Sequence, residues 1–246
     1  MTGRILVLAG TTEARRLCAA LAAENRDVTT SLAGVTRSPA DYSCPVRTGG
    51  FGGVDGLTQW LRDHAISHLI DATHPHAARM PHHAHAAAIA AGIPCLHLKR
   101  LPWPVRKHYL RATSLEHAAH LLPAGARAFL ATGAISSLTF HNRADVHFVL
   151  RSIEPPPSQF PAGNAIFLNA CPPFTQAEEE NTFREHAITH LVVKNSGGDA
   201  GRAKLDAADA LGITTVMVDR PPLPPGAKTV TTVRAALDWL AKPDAC

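Results

Sequence analysis

The chain has 246 residues, 46% of them hydrophobic, and its 24 Lys and Arg against 20 Asp and Glu give a formal net charge of +4. This composition suffices for one large or two small folded domains and excludes a disordered chain. With no signal peptide and no apolar run of about 20 residues, we expect a cytoplasmic protein with no membrane partner. Five scattered cysteines without a C-x-x-C pair argue against a disulfide framework and a structural zinc site.

Strand-like and helix-like segments alternate along the whole chain. The predicted strands are Ile5–Ala9, Asp27–Leu32, His68–Asp71, Pro94–Leu98, Ala128–Ala131, Val146–Leu150, His190–Lys194 and Thr214–Val218. The predicted helices are Glu13–Glu24, Asp55–His64, His76–Ala91, Ser114–Leu121, Thr175–His186, Ala200–Leu211 and a last helix, Thr232–Leu240, that packs back onto one domain. Such alternation is typical of βαβ units, so we predict an α/β fold with two Rossmann-like (flavodoxin-like) domains, parallel sheets and an interdomain cleft.

The alternation is interrupted at the basic, proline-containing segment Lys99–Arg111. We interpret this segment as the connection between the domains, which predicts an N-terminal domain at residues 1–105 and a C-terminal domain at residues 106–246. The ligand cleft would then lie at the carboxyl ends of the strands.

The first strand runs into a turn that suits a phosphate. In RILVLAGTTEARRL (Arg4–Leu17), Gly10 permits a tight turn, and Thr11 and Thr12 stand where a helix begins. Free backbone N–H groups at a helix start attract phosphate groups. Only one glycine of the G-x-G-x-x-G pattern is present, so a plain strand-to-helix connection stays open as an alternative.

Two later segments bear on the ligand, and the first of them indicates a nucleotide with an additional phosphate. No acidic residue closes the second strand, and Arg37 and Ser38 follow it, which favours NADP over NAD. The loop Thr48–Gly53, TGGFGG, contains four glycines, which let the backbone approach a ligand closely. A solvated arginine and a flexible turn are the respective alternatives.

A histidine-rich segment follows the third predicted strand. In DATHPH, Asp71 and His74 lie at the carboxyl end of this strand. On the next predicted helix, His82, His83 and His85 lack the spacing and the neighbouring acids of a metal site, so we predict no metal. A histidine that lines an anion pocket and donates a hydrogen bond is the simpler interpretation.

The second half repeats the pattern of polar residues after strands. ATG (Ala131–Gly133) ends one strand, and KNSGG (Lys194–Gly198) ends another. These residues predict a second anion-binding edge, with a structural turn as the alternative.

Charge is distributed unevenly along the chain. Between Thr73 and Ala144 the only acid is Glu116, against eight Lys and Arg and ten of the fifteen histidines. Such a segment attracts an anionic partner. A small polyanion fits at least as well as nucleic acid, because few aromatic residues stand among the basic ones. A basic surface without a ligand stays open.

In this order and spacing, LAGTTEAR, RTGGFGG, DATHP, the TG after the fifth strand and KNSGG resemble the precorrin-6A reductase family of cobalamin biosynthesis, from the first strand to about Asp219. The resemblance implies an oxidoreductase with NADPH bound by the N-terminal domain and a tetrapyrrole in a cleft completed by the C-terminal domain. It implies reduction of one ring double bond of precorrin-6A to give precorrin-6B. The tetrapyrrole is a polycarboxylate, which agrees with the basic middle of the chain.

The resemblance also assigns residues. Gly10, Thr11, Thr12, Arg37, Ser38, Gly49, Gly50, Phe51 and Gly52 would bind the cofactor, with Arg37 and Ser38 at its 2′-phosphate. His76, Arg79, Thr132, Gly133, Lys194, Asn195, Ser196 and Gly197 would bind the substrate. His74 is the first candidate for the proton donor, Lys194 the second, and bound water the third. The chain departs from the family where Ala200-Gly201 and Ala203-Lys204 replace a common Gly-Gly and Glu-Lys.

Other interpretations stay open at this point. One is a different NADP-dependent reductase of a small anionic substrate, and another is a non-catalytic nucleotide- or nucleic-acid-binding protein. The resemblance predicts no nucleic acid partner, and product hand-over to neighbouring pathway enzymes. The sequence separates neither a metal-free from a cobalt-containing substrate nor one oligomeric state from another.

Overall fold

A computed structural model describes residues 3–34, 41–152 and 164–242. The chain forms two compact units: the first comprises Met1–Leu101 and Pro221–Cys246, and the second comprises Pro102–Arg220. Each unit contains a six-stranded sheet whose neighbouring strands all pair in parallel. The predicted α/β class with two parallel sheets is therefore confirmed. No helix in the described part of the chain has both the length and the apolar character needed to cross a membrane.

The first unit has the strand order of a dinucleotide-binding fold. Its strands are β1 (Arg4–Leu8), β2 (Val28–Leu32), β3 (Val46–Thr48), β4 (Ile66–Asp71), β5 (Cys95–Leu98) and β12 (Thr229–Val230). Its helices are α1 (Thr12–Ala23), α2 (Gly53–Asp63), α3 (Met80–Ala91) and α8 (Val233–Ala241). The order β12-β5-β4-β1-β2-β3 reverses direction between β1 and β4. Ligands bind at such a reversal in doubly wound sheets.

The continuous apolar run of β1 follows from its position in the middle of this sheet. Ile5 and Val7 pack into a core that includes residues of α1 and α8, whereas Leu6 and Leu8 pack into a core with α2 and α3. A parallel strand covered by helices on both faces needs apolar residues at every position, not at alternate ones.

The second unit repeats the architecture with a different chain path. Its strands are β6 (Leu110–Ala112), β7 (Arg127–Ala131), β8 (His147–Ser152), β9 (Ala165–Asn169), β10 (His190–Lys194) and β11 (Thr214–Val218). Its helices are α4 (Leu115–Leu121), α5 (Ala134–Ser137), α6 (Gln176–Glu185) and α7 (Ala203–Ala210). The order β6-β11-β10-β7-β8-β9 places its reversal between β7 and β10.

The predicted division at residues 106–246 differs from the structure in its last part. Thr229 and Val230 pair with His97 and Leu98 of β5, and α8 packs against α1, so this segment completes the first unit. The prediction that the last helix packs back onto one domain is confirmed. The two-residue strand β12 is too short to leave a periodic signal in the sequence.

Four strands, the short helix α5 and the start of α3 also differ from the predictions. The strands β3, β6, β9 and β12 were not predicted; β3, β6, β9 and β12 are the four edge strands of the two sheets. The helix predicted from His76 begins at Met80 instead, because the Ala77 N–H donates to the carbonyl oxygen of His74 in a preceding turn. Pro81 then lies in the first helical turn, where its missing N–H costs no hydrogen bond.

Candidate functional site

At the reversal point of the first unit, the loops after β1 and β4 are tied together by one side chain. Thr11 caps α1: its hydroxyl accepts a hydrogen bond from the Ala14 N–H (3.1 Å) and donates one to the carbonyl oxygen of Ala72 (2.9 Å). Gly10 has a φ of +131°, a conformation that glycine adopts most readily. Thr12 is the first residue of α1. These loops hold the start of α1, where the first N–H groups of a helix have no partner within the helix itself, at the carboxyl edge of the sheet.

A cleft with about 440 Å³ of empty space opens above the carboxyl ends of β1, β2 and β4. Its lining comprises Leu8, Ala9, Ser31, Ala33, Gly49, Gly50, Phe51, Gly53, Thr73, Met80 and His83. Three predicted cofactor residues, Gly49, Gly50 and Phe51, are thus brought together on one wall. Gly52 is absent from this lining and instead caps α2 with a φ of 81°. Among the described residues, no carboxylate lines the cleft.

Arg47, which the sequence analysis did not single out, orders this glycine loop. Its Nη1 donates to the Ser31 hydroxyl (2.8 Å) and to the Gly49 carbonyl oxygen (3.0 Å), and its Nη2 donates to the Gly50 carbonyl oxygen (3.1 Å). Its guanidinium carbon lies 4.0 Å from the centre of the Phe51 ring. Partial burial lowers the pKa of Arg47 from its ordinary value. Arg47 therefore gives two otherwise flexible glycines a defined conformation next to the cleft.

A buried polar network fixes the opposite wall. Asp71 accepts hydrogen bonds from the Thr73 hydroxyl (2.5 Å) and N–H (3.0 Å), lies 2.8 Å from His97 Nδ1 and forms an ion pair with Lys99 (2.9 Å). Lys99 also donates to the Thr73 carbonyl oxygen (3.0 Å). Asp71 and His97 are completely buried. Each polar group of Thr73 is therefore held in one orientation at the end of β4.

The predicted residues His74, His76 and Arg79 follow this network but do not belong to the cleft lining. His74 is exposed, and its Nδ1 accepts a hydrogen bond from the His76 N–H (3.2 Å). This contact places the proton of a neutral His74 ring on Nε2. The exposed Arg79 precedes α3. Arg37 and Ser38 lie outside the described residues.

His83 is the histidine of α3 that reaches the cleft. Within residues 3–34, 41–152 and 164–242, no three His, Cys, Asp or Glu side chains cluster so that they could hold a metal ion.

At the reversal point of the second unit, Lys194 ends β10 beside the loop that follows β7. Its Nζ donates to the Ser136 hydroxyl at 2.6 Å, and burial lowers the pKa of Lys194 from its ordinary value. Thr132 is buried, and its hydroxyl oxygen has no hydrogen-bond partner in the described part of the chain. Gly133 has a φ of +88°. This edge therefore holds a cation and a buried hydroxyl without a partner among the described residues, and both kinds of group bind carboxylates.

Asn195, Ser196 and Gly197 form the loop that follows Lys194. The Asn195 side chain is 5% exposed and is hydrogen-bonded to the backbone of Trp103. The Ser196 N–H donates to the Lys194 carbonyl oxygen (2.6 Å), and Gly197 has a φ of 68°. The structure thus brings Lys194, Thr132 and Gly133 to one sheet edge, whereas the Asn195 amide group holds the loop itself.

Comparison with known proteins extends these local observations to the whole chain. The family model "Precorrin-6x reductase CbiJ/CobK" matches residues 4–241. A precorrin-6A reductase of Rhodococcus erythropolis is 45% identical over 96% of this chain and 97% of its own length. A cobalt-precorrin-6A reductase of Priestia megaterium is 26% identical over 88% of this chain and 90% of its own length.

A solved structure named CobK precorrin-6A reductase has a TM-score of 0.90 at 39% sequence identity and covers 97% of this chain and 96% of its own. The family model and the relatives both span almost the entire chain, including both sheets and both reversal points. The chain belongs to the precorrin-6x reductase family CbiJ/CobK.

Proposed function

We propose that this chain is an NADPH-dependent oxidoreductase of cobalamin biosynthesis that reduces one ring double bond of precorrin-6A to give precorrin-6B. The observation that carries the proposal is the cleft at the strand reversal of the first unit, in a chain that matches the reductase family over nearly its full length. Membership of this family favours the proposal over a reductase of another substrate and over a non-catalytic nucleic-acid-binding protein.

The first unit binds the cofactor in this proposal. Gly10, Thr11 and Thr12 at the start of α1 contact the diphosphate, because helix N-termini favour anions. The wall of Gly49, Gly50 and Phe51 lets the backbone approach the ligand. When bound, the nicotinamide supplies the hydride for the reduction.

Two features favour NADPH over NADH. At the carboxyl end of β2 the described cleft lining consists of Ser31 and Ala33 and contains no carboxylate of the kind that accepts the ribose hydroxyls of NADH. The contacts of Arg47 with described residues use three of the five N–H donors of an arginine, which leaves two donors for a phosphate within this part of the chain. Arg37 and Ser38 stay predicted contacts of the 2′-phosphate.

The second unit binds carboxylates of the substrate. Lys194 supplies a positive charge, and the Thr132 hydroxyl, which lacks a protein partner among the described residues, supplies a hydrogen bond. His76 and Arg79 of the first unit are further candidates for the carboxylates at other positions of the macrocycle. The relative with 45% identity is named precorrin-6A reductase, whereas the cobalt-precorrin-6A reductase shares 26%, so we favour the metal-free substrate.

Reduction of a carbon–carbon double bond requires one hydride and one proton, and His74 is our candidate for the proton donor. To act as an acid it must carry protons on both ring nitrogens, and Nδ1 then no longer accepts from the His76 N–H. Lys194 and bound water stay the second and third candidates. A cytoplasmic location and product hand-over to neighbouring enzymes stay predictions.

Absorbance tests the proposal directly. We expect that the protein, mixed with precorrin-6A and NADPH, removes the nicotinamide absorption and shifts the macrocycle band with equal stoichiometry. NADH should support a much lower kcat/KM. No change with either cofactor would overturn the proposed activity, and equal rates with both would overturn the NADPH preference. Cobalt-precorrin-6A, tested in parallel, should be the poorer substrate.

A further inference from the structure

The loop that carries Lys194 is held through its backbone by two distant side chains. Arg220 donates from Nε to the Asn195 carbonyl oxygen (2.7 Å) and from Nη2 to the Ser196 carbonyl oxygen (2.9 Å). The indole Nε1 of Trp103 donates to the carbonyl oxygen of Gly198 (2.8 Å). Three carbonyl groups of KNSGG therefore accept hydrogen bonds from side chains that lie far away in the sequence.

A reciprocal contact links the same loop to the backbone of Trp103. The Trp103 N–H donates to Asn195 Oδ1 (2.8 Å), and Asn195 Nδ2 donates to the Trp103 carbonyl oxygen (3.0 Å). Both side chains are buried, Asn195 with 5% and Trp103 with 7% exposure. A buried amide group that satisfies both a donor and an acceptor of one residue ties the two segments at a fixed distance.

The Trp103 ring itself lies against the backbone of Gly201. A Cβ atom added at Gly201 would lie 2.8 and 2.9 Å from two ring carbons, closer than real Cβ contacts. Glycine is therefore needed at position 201 for the Trp103 ring to reach Gly198. This explains why a glycine stands there, shortly after KNSGG.

Trp103 and Arg220 lie at the two ends of the second unit along the chain. The unit comprises Pro102–Arg220, so Trp103 is the second residue after the chain enters it, and Arg220 is the last residue before the chain leaves it. Both ends of the unit therefore converge on the single loop that follows β10.

We infer that Trp103, Asn195 and Arg220 are positioning residues for the tetrapyrrole: they form a brace that holds the Lys194–Gly198 loop in its binding conformation. The loop contains Gly197 and Gly198 at φ 68° and 77°, and an unsupported glycine pair would lose much conformational freedom when a ligand orders it. The brace removes this cost before the substrate arrives. The inference rests on the proposed role of Lys194 in substrate binding.

The test compares Trp103→Phe and Arg220→Met with the wild type in the full chain. Trp103→Phe keeps a ring next to Gly201 but removes the donor to Gly198, and Arg220→Met keeps the length of the side chain but removes both donors. We expect the KM for precorrin-6A to rise about tenfold in Arg220→Met and about threefold or more in Trp103→Phe, since each loses hydrogen bonds to a preformed loop. The KM for NADPH should change less than about twofold.

Arg111→Met is the matched control. Arg111 forms an ion pair with Asp219, the residue before Arg220, at 3.0 Å. Its contacts in the described part of the chain do not include the Lys194–Gly198 loop. This variant should leave the KM values for both precorrin-6A and NADPH unchanged. Arg220→Lys should recover part of the loss, because a lysine reaches one carbonyl oxygen but cannot bridge two. In hydrogen exchange without substrate, the amides of residues 195–198 should exchange faster in Arg220→Met than in the wild type.

Three outcomes would overturn the inference that Trp103, Asn195 and Arg220 hold the Lys194–Gly198 loop for the substrate. The first is a wild-type KM for precorrin-6A in both variants. The second is an equal rise of the KM for precorrin-6A and for NADPH together with a lower Tm, which indicates general loss of structure. The third is unchanged exchange at residues 195–198. If the wild type itself fails to reduce precorrin-6A, the proposed function fails first and the inference falls with it.

Discussion

Lys99 donates from Nζ to Asp71 Oδ2 at 2.9 Å, and the two side chains are 7% and 0% exposed. The pair lies directly behind Thr73, which lines the cleft of the first unit. A buried ion pair of this kind recovers its desolvation cost only when further hydrogen bonds satisfy both partners, and here Thr73 and His97 supply them. The network thus couples the stability of the first sheet to the shape of the cleft.

Asp71→Asn should lower the free energy of unfolding by about 3 kcal/mol or more at pH 7, because it leaves Lys99 buried without its counter-charge. Urea unfolding measures this value. Asp27→Asn is the matched control: Asp27 pairs with Arg4 at 2.9 Å, but the side chains are 54% and 44% exposed. The control should lose less than about 1 kcal/mol. Equal losses in both variants would contradict the assigned role of the network.

The Asp71–Lys99 pair also predicts that the free energy of unfolding depends on pH. Burial by itself raises the pKa of Asp71, but the hydrogen bond from His97, the charge of Lys99 and the hydrogen bond from Thr73 outweigh it and hold the pKa well below its ordinary value of 3.8. A carboxyl group whose pKa is depressed in the folded state stabilises that state at pH values above its ordinary pKa. This stabilisation is lost as the pH falls below the ordinary pKa. The difference in free energy of unfolding between the wild type and Asp71→Asn should therefore be smaller at pH 3 than at pH 7. An equal difference at both pH values would contradict this prediction.

Arg47→Met should raise the KM for NADPH about tenfold, because the glycine loop loses its contacts with the guanidinium and a cation next to the cleft is removed. Steady-state kinetics with saturating precorrin-6A measures the effect. Arg234→Met is the control, since Arg234 is 85% exposed on α8 and pairs only with Asp238 within the described residues. If Arg47→Met matches this control, Arg47 has no part in cofactor binding.

The lowered pKa of Lys194 predicts how substrate binding depends on pH. Burial lowers its pKa from the ordinary 10.5, and the protonated form attracts carboxylates, so the kcat/KM for precorrin-6A should fall as the pH rises through this lowered pKa. Lys194→Arg should retain activity to higher pH, because an arginine stays protonated. Lys194→Met should lower kcat/KM at every pH without this alkaline decline. An identical alkaline decline in all three proteins would exclude Lys194 as its source.

His74→Ala should lower kcat much more than it changes the KM for NADPH, because a proton donor acts in the chemical step and not in cofactor binding. Rapid-mixing absorbance under saturating conditions measures the rate of reduction. His83→Ala is the comparison: His83 lines the cleft, so its loss should change mainly the KM for NADPH. Unchanged turnover in His74→Ala would remove His74 from the mechanism and leave Lys194 or water.

The sequence predicted the elements that have a strong local pattern. The apolar run of β1, the turn at Gly10 and the helix that follows, predicted from Glu13 and found from Thr12, are recognisable within fifteen residues, because burial on both faces and a tight turn each restrict residue choice locally. The order of the motifs identified the family. Arg47 left no such signal: an arginine within a short edge strand resembles a solvated one until its contacts with Ser31 and Gly50 are known.

The alternation of strands and helices, the parallel sheets and the candidate phosphate loops thus follow from periodicity and residue type alone. Only the tertiary structure assigned Thr229–Val230 and α8 to the first unit, linked Thr11 to Ala72 and placed Trp103 and Arg220 on one loop. The physical reason is that these contacts join residues at least 24 positions apart in the sequence. Local periodicity reports how deeply a residue is buried, whereas its distant partner depends on how the strands are ordered in the sheet.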